Sequence, residues 1–231
     1  MKAQIATFPK AGLDFLSALA RNNDKDWFAA NRETYEERVK TPMVGLVEAI
    51  NEELSSFAPA YVAPSPKKAI APMHRDTRFS ADKSPYKTQV SAVFPRKGAK
   101  KQEAAGFFFG ISPDGIDAVG GAFMPGPPQL DALRRHLADH HAALRAIVAD
   151  PVLVKRMGKL QGECLKRVPQ GYEADHPAGD LLRYKQFYFR TQLDASLAGT
   201  AKLLPALSER FRAMTPFVEF LDEALARMSR A

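Results

Sequence analysis

Only one cysteine, Cys164, stands among the 231 residues. No internal disulfide can staple the fold, and a reducing cytoplasm is the expected compartment. Charges or prolines interrupt every apolar run before it reaches the roughly 20 residues that a membrane-spanning helix needs. The first residues also lack the apolar core and cleavage pattern of a signal peptide, so no membrane partner is expected. Equally absent are an internal repeat, a linker long enough to separate domains, a glycine-rich nucleotide loop and a recognised metal-ligand motif. A chain of this length buries most of its apolar surface unaided, which predicts a single domain over residues 1–231 with no structural metal. The sequence names no cofactor.

What is present begins with charge. Lys and Arg number 33 against 26 Asp and Glu, a net +7, which favours acidic partners. Between Pro95 and Gly106, Arg96, Lys97, Lys100 and Lys101 face only Glu103, so net +3 of that +7 sits in one short stretch. The plain reading is a solvated loop; the sharper one is a nucleic-acid contact.

Hydrophobic periodicity then separates helices from strands. Leu13, Phe15, Leu16 and Leu19 predict a first helix closed near Asn22 and Asn23. Trp27, Phe28, Asn31, Tyr35 and Val39 continue at helical spacing to Lys40, with Trp27 and Tyr35 packing around a hydrogen-bonded Asn31. Thr41 before Pro42 reads as an N-cap followed by proline at the first helical position, and Met43, Leu46, Val47, Ile50, Leu54 and Phe57 form the stripe behind it. After the break at Pro59, Pro64 and Pro66 the period changes. Ala69–His74, Thr88–Phe94, Ala105–Ile111 and Ile116–Met124 read as strands, the last two joined through Ser112-Pro113-Asp114-Gly115 into a hairpin. Pro127-Pro128 opens another helix, Asp150-Pro151 ends and restarts it, Gln186–Arg190 can add a strand, and Thr215-Pro216 reads as a capped start. No strand-helix-strand alternation occurs. The expected class is α+β: a mainly antiparallel sheet of about four or five strands, packed by helices from both the N- and C-terminal parts.

One segment concentrates polar chemistry. From Arg75 to Thr88 stand four cations (Arg75, Arg78, Lys83, Lys87), two carboxylates (Asp76, Asp82), four Ser or Thr hydroxyls and Tyr86, with one proline and no glycine. Arginine offers a planar fork matched to carboxylate or phosphate, lysine a movable point charge, and hydroxyls further donors. This composition suits an anion held by Arg75, Arg78, Lys83 and Lys87 and oriented by Asp76, Ser80 and Tyr86, with Asp82 also in the site; a catalytic version would use Asp76 or Asp82 as a base. The competing structural reading pairs Asp76 and Asp82 with the neighbouring cations and ties the loop down. An antiparallel pairing of the two flanking runs makes Arg75 and Thr88 neighbours, leaving Asp76–Lys87 as a twelve-residue loop. Its expected seat is the Trp27–Tyr35 helix, with Phe79 as buried anchor and Arg75, Arg78 and Asp82 facing a cleft.

The run from Arg75 to Thr88 resembles the signature of the domain of unknown function 2461 family, together with Asn22-Asn23 and Trp27-Phe28-Ala29-Ala30-Asn31-Arg32. The Gly110–Gly121 hairpin, Pro169-Gln170-Gly171-Tyr172, Asp175-His176-Pro177 and Leu181-Leu182-Arg183-Tyr184-Lys185 extend the likeness over nearly the whole chain. Ala71-Pro72-Met73, Ala81 and Ala122 depart from the family pattern, and two cations that the pattern carries are thereby missing. The resemblance implies boundaries and no reaction.

Other signals have plain readings. His74-Arg75-Asp76 imitates a kinase catalytic loop, but Ala81 stands where the metal-binding asparagine belongs. His136 and His140 fall one turn apart, without a third ligand in any recognised motif, and read as a partly exposed helix face. Cys164 lacks a positioned histidine and reads as a small half-buried residue. Three functions therefore stand open. The first is a protein that binds an anionic small molecule or acidic group, with the enzyme question undecided. The second is a nucleic-acid-binding module using Arg96–Lys101 and the central cations, and the third is a non-catalytic scaffold.

Overall fold

The computed structural model describes residues 6–78, 80–99 and 104–228. It is α+β: a four-stranded antiparallel sheet with helices before and after it in the chain. The strands are β1 (Val90–Pro95), β2 (Gly106–Ser112), β3 (Gly115–Ala122) and β4 (Phe187–Leu193), paired in the order β1-β2-β3-β4. Among the described residues no helix is long and apolar enough to cross a membrane. Backbone contacts gather into two compact units. One comprises Met1–Val93, Phe108–Ala118 and Gln192–Ser208; the other comprises Phe94–Phe107, Val119–Thr191 and Glu209–Ala231.

In the first unit α1 (Lys10–Arg21) precedes α2 (Lys25–Ala30), whose N-cap Asp24 accepts the Trp27 amide at 2.8 Å. The helix expected to run on to Lys40 breaks at Asn31, whose side chain bonds the Trp27 carbonyl at 2.8 Å. The chain resumes as α3 (Arg32–Tyr35) and then a π-helical turn, Glu36–Lys40, that leads directly into α4 (Thr41–Phe57). Thr41 is therefore no N-cap: it is helical, and its hydroxyl donates back to the Glu36 carbonyl at 2.9 Å. The reason lies in Pro42, which has no N–H to donate and crowds the carbonyl of Arg38 four residues back. The wider π turn lets the helix pass through the proline unbroken. The Arg38 oxygen lies so close to α1 that a β-carbon at Gly12 would stand 2.6 Å from it. Met43, Leu46, Val47, Ile50 and Leu54 are buried as the stripe predicts.

After α5 (Pro66–Ala69) the segment expected as a first strand is not one. It makes two isolated antiparallel bridges, Ile70 with Ala92 and His74 with Tyr86. Between them one side advances from 70 to 74 and the other from 86 to 92, so the second carries two extra residues and the ladder cannot close. Pro72, without an N–H, removes a donor from the same stretch. The Ser112–Gly115 turn joins β2 and β3 as the sequence predicts, with the Ser112 hydroxyl donating to the Gly115 carbonyl at 3.1 Å.

In the second unit α6 (Pro127–Val148) bends at His140, and α7 (Pro151–Met157) is capped by Asp150, whose carboxylate accepts the amides of Val152 and Leu153 at 2.9 Å each. A short α8 (Gly179–Leu182) follows. The segment expected as a helix start at Thr215-Pro216 lies instead inside one long helix, α9 (Leu203–Met228). Thr215 bonds the Phe211 carbonyl at 2.9 Å, so its hydroxyl satisfies its own helix and caps nothing. Phe94 and Phe107 pack on Phe211, and Phe189 on Phe217, placing this unit's core between sheet and α9. His136 is buried against Phe220, with ring centroids 4.6 Å apart, where a half-exposed face was expected; His140 alone is on the surface. Cys164, expected half-buried, is exposed.

Candidate functional site

The central loop is held at its base by backbone bonds and by one asparagine. Arg75 N–H donates to the Pro85 carbonyl at 2.9 Å and Lys87 N–H to that of Met73 at 2.7 Å. The loop proper is therefore Asp76–Ser84, shorter than the expected twelve residues, because pairing begins at Tyr86 and not at Thr88. Asn23, the residue before the α2 N-cap, reaches across the chain. Its amide donates to the Tyr86 carbonyl and its oxygen accepts the Tyr86 N–H, both at 3.0 Å. One side chain thus supplies the two bonds that a neighbouring strand would otherwise make. The Tyr86 ring stacks on Phe28 at 4.1 Å and 15°, and Phe28 meets Tyr35 at 5.2 Å and Phe15 at 6.2 Å. Tyr86, 6% exposed, is the anchor of the segment. Phe79, assigned that role from the sequence, lies outside the described residues.

The charges form two local pairs. Asp76 accepts both Nε and Nη2 of Arg78, at 2.9 and 2.7 Å, in a forked contact closed by the Arg78 amide at 3.2 Å. Asp82 pairs with Arg75 and accepts the Ser84 amide at 2.9 Å, a turn that aspartate favours. The lysines meet carbonyls: Lys83 donates to Thr77 at 2.9 Å and Lys87 to Pro72 at 3.0 Å. Ser80 lies within the same loop, its amide 3.4 Å from the Thr77 carbonyl. The structure therefore brings Arg75, Asp82 and Ser84 together, and separately Asp76 and Arg78. Tyr86 is turned away beneath Phe28. The cavities of about 510 Å³ among α6, α7 and α9 and of about 830 Å³ beside α4 are lined by other residues.

Protonation follows from these contacts. Hydrogen bonds from Ser84 and then the Arg75 guanidinium hold the Asp82 carboxyl well below the usual carboxylate range, and Arg78 does the same to Asp76. Neither is set up as a general base at neutral pH, since that task needs burial to raise the carboxyl. A depressed folded-state value means that the contribution of Asp82 to stability is present above the unfolded value of about 3.9 and is lost as pH falls through the folded one. In a carbon-detected NMR titration, Asp82 is expected to stay ionised at a pH where a free aspartate is half protonated. Ser84→Ala and Arg75→Ala should each move its midpoint up; an ordinary midpoint in the parent contradicts this account.

Sequence reasoning seated the loop on the Trp27–Tyr35 stretch, where Phe28 receives the Tyr86 ring, but missed Asn23 and His74 as its holders. Asn23 was visible only as a helix-boundary residue, because its partner lies 63 positions away. The histidine ring tilts over Tyr86 at 4.9 Å. Farther along the chain, in the second unit, the motif segments of the resemblance are clamped by arginines of α6. Arg134 donates to the carbonyls of Leu182 and Tyr184 at 3.0 and 3.3 Å, and Arg145 binds Asp180 at 2.6 Å and the Pro177 carbonyl at 3.0 Å. Among the described residues no group of three or more His, Cys, Asp or Glu is arranged to hold a metal. Of the basic stretch, Arg96 pairs with Asp222 at 3.3 Å, while Lys100, Lys101 and Glu103 lie outside the described residues.

Neither the curated proteins nor the solved structures hold a match to this chain. A family model described as a conserved hypothetical protein matches residues 11–220, which take in the loop, its Asn23 and Phe28 supports and both clamped motif segments. The chain belongs to that family, DUF2461.

Proposed function

We propose that the Arg75–Lys87 loop binds the carboxylate or phosphate of a small anionic molecule by exchanging its own internal partners for those of the ligand. The observation that carries this reading is the exposure of the paired groups. Asp76 and Asp82 are 60% and 56% exposed, and Arg78 is 77% exposed. Ion pairs this open to water hold weakly, so a dianion that meets two cations at once can replace them. Four cations face two carboxylates, a local net +2, and among the described residues the lysines meet carbonyl oxygens. Arg75, the least exposed of the pair-forming groups at 28%, provides the fixed end of the site.

A second reading has its own support. Because every cation of the loop has an internal partner and Asn23 ties its base to α2, the same array serves a non-catalytic scaffold equally well in geometry. Thermal melts with pyrophosphate and with citrate separate the two. Anion binding predicts a midpoint raised by about a few degrees at saturating ligand. Arg78→Gln should abolish that shift while leaving the ligand-free midpoint near the parent's. A parent that no anion stabilises, with a ligand-free midpoint that drops in Arg78→Gln, decides for the scaffold. Association with short single strands that fades as salt rises would instead favour the nucleic-acid reading.

A further inference from the structure

In the second unit the outer edge of β4 is covered by the chain between α7 and α8. Residues 159–167 lie along 183–190 as an antiparallel ribbon, with bridges from Gln161 to Tyr188 and from Cys164 to Tyr184. Gln161 and Tyr188 exchange both backbone bonds, at 2.8 and 3.2 Å. Farther along, Lys185 N–H donates to the Glu163 carbonyl and Leu165 N–H to that of Arg183, each at 2.7 Å. Glu163 and Leu165 thus turn their backbone toward the partner. By the alternation of an antiparallel pair, the amide of Cys164 between them turns outward on the free edge, where Cys164 is exposed.

This ribbon concentrates the charge of the chain. Its two segments hold Lys159, Lys166, Arg167, Arg183, Lys185 and Arg190 against one carboxylate, Glu163, a net +5 where the whole chain has +7. Glu163 is already engaged by Lys185 at 3.1 Å. Lys159, Lys166 and Arg167 are exposed, and among the described residues they meet no carboxylate. Lysine, arginine and an outward backbone amide are the groups that hold the phosphates of a nucleic acid. Charge alone suits any polyanion; the aromatic side chains narrow the choice. Phe187 and Phe189 are buried, so Tyr188 between them points to the opposite face of β4. There it is partly exposed and meets the ring of Phe123 edge-on at 4.9 Å, and Phe123 is itself 52% exposed. Rings open to water beside unpaired cations are the two parts of a single-strand site, one stacking on bases and the other following the backbone. An acidic polypeptide matches the charge and leaves the rings unused.

We infer that the 159–167 and 183–190 ribbon binds single-stranded nucleic acid, with phosphates at Lys159, Lys166 and Arg167 and bases stacked at Tyr188 and Phe123. A duplex keeps its bases stacked on one another, which commits the site to the single strand. The inference is independent of the anion reading of the Arg75–Lys87 loop, because no residue is shared, and it uses none of the Arg96–Lys101 stretch.

The test is fluorescence anisotropy of labelled oligo(dT) and oligo(U) of about twelve nucleotides, within the range of single-strand sites, titrated with the full chain across a salt series. Binding is expected, and it should weaken as salt rises. The double variant Lys166→Gln with Arg167→Gln should lower affinity at least about tenfold at low salt. It should also make the logarithmic salt dependence shallower by about 1.4, since each phosphate contact on a single strand contributes about 0.7. Phe123→Ala should weaken binding at least about fivefold with the salt dependence unchanged, because a lost stack releases no counterion. All three positions are exposed, so both variants should fold, with thermal midpoints near the parent's. Absence of binding, equally tight binding of polyglutamate, or parental affinity in either variant overturns the proposal. Affinity lost in Arg78→Gln and kept in the double variant overturns it also, by placing the strand at the Arg75–Lys87 loop.

Discussion

Tyr86→Ala is expected to destabilise the protein by about 3–5 kcal/mol, the usual cost of removing a buried aromatic ring. The ring fills space against Phe28, itself packed on Phe15 and Tyr35, so its loss opens a hole among groups fixed by their own helices. Those helices cannot close in. The π turn locks α3 to α4, and Gly12 already brings α1 within contact of the Arg38 carbonyl. The effect should also reach the loop. With the ring gone, the base of the segment keeps only its hydrogen bonds, the two from Asn23 and those of the Arg75 and Lys87 amides, and these amides should exchange with solvent faster. Tyr86→Phe keeps the stack and the backbone bonds, so it should remain near the parent. In thermal melts the alanine variant should fall by on the order of 10 °C for a chain of this size. A midpoint unchanged in Tyr86→Ala, or lowered equally in Tyr86→Phe, removes Tyr86 as the anchor.

That anchor illustrates how much of this molecule is legible in its sequence. The charges of the loop are contiguous, so the segment announces itself by composition; the partners Asp82 for Arg75 and Asp76 for Arg78 follow from chemistry over a few residues. The class of the fold is equally local, since α4, the hairpin at Ser112–Gly115 and the Asp150 cap each rest on neighbouring residues. Proline is where sequence and structure diverge. Thr-Pro at 41–42 and 215–216 has the form of a capped helix start, yet in both places the helix runs through. The sequence signature of proline at a first turn is the same as that of proline inside a running helix, and tertiary packing selects between them. The Asn23 bridge and the cleft of α6, α7 and α9 depend on contacts between distant segments, which periodicity does not register. Phe79 lies outside the described residues, and the place of Tyr86 as an anchor follows from the hydrogen-bonded backbone on which it sits.

Gly121→Ala should have an effect comparable to that of Tyr86→Ala, for a reason the sequence does not show. Gly121 lies near the end of β3 with φ of +135°, a region that side chains rarely occupy, so any β-carbon imposes strain of about 1–3 kcal/mol. The space is also taken. A β-carbon there would stand 2.1 Å from the Phe187 carbonyl oxygen and 2.7 Å from the Tyr188 α-carbon. Both are backbone atoms of β4, which cannot rotate aside as a flexible side chain can. Relieving the overlap requires β3 and β4 to separate at this point, and overpacking of this kind adds about 1–3 kcal/mol. Together the two terms, about 2–6 kcal/mol, are a large share of the stability margin of an ordinary domain, about 5–15 kcal/mol. Gly98→Ala provides the control, because Gly98 has φ of +83° but nothing within 4 Å of its missing β-carbon. It carries the strain without the collision. Denaturant melts of the two variants should therefore differ, with Gly121→Ala the less stable by roughly the overpacking cost of 1–3 kcal/mol. Its loss should be accompanied by faster amide exchange in Phe187–Leu193, because the edge strand is what must move. Equal losses in the two variants, or unaltered exchange in that strand, would show that the β3–β4 approach tolerates a side chain and that φ alone selects glycine at this position.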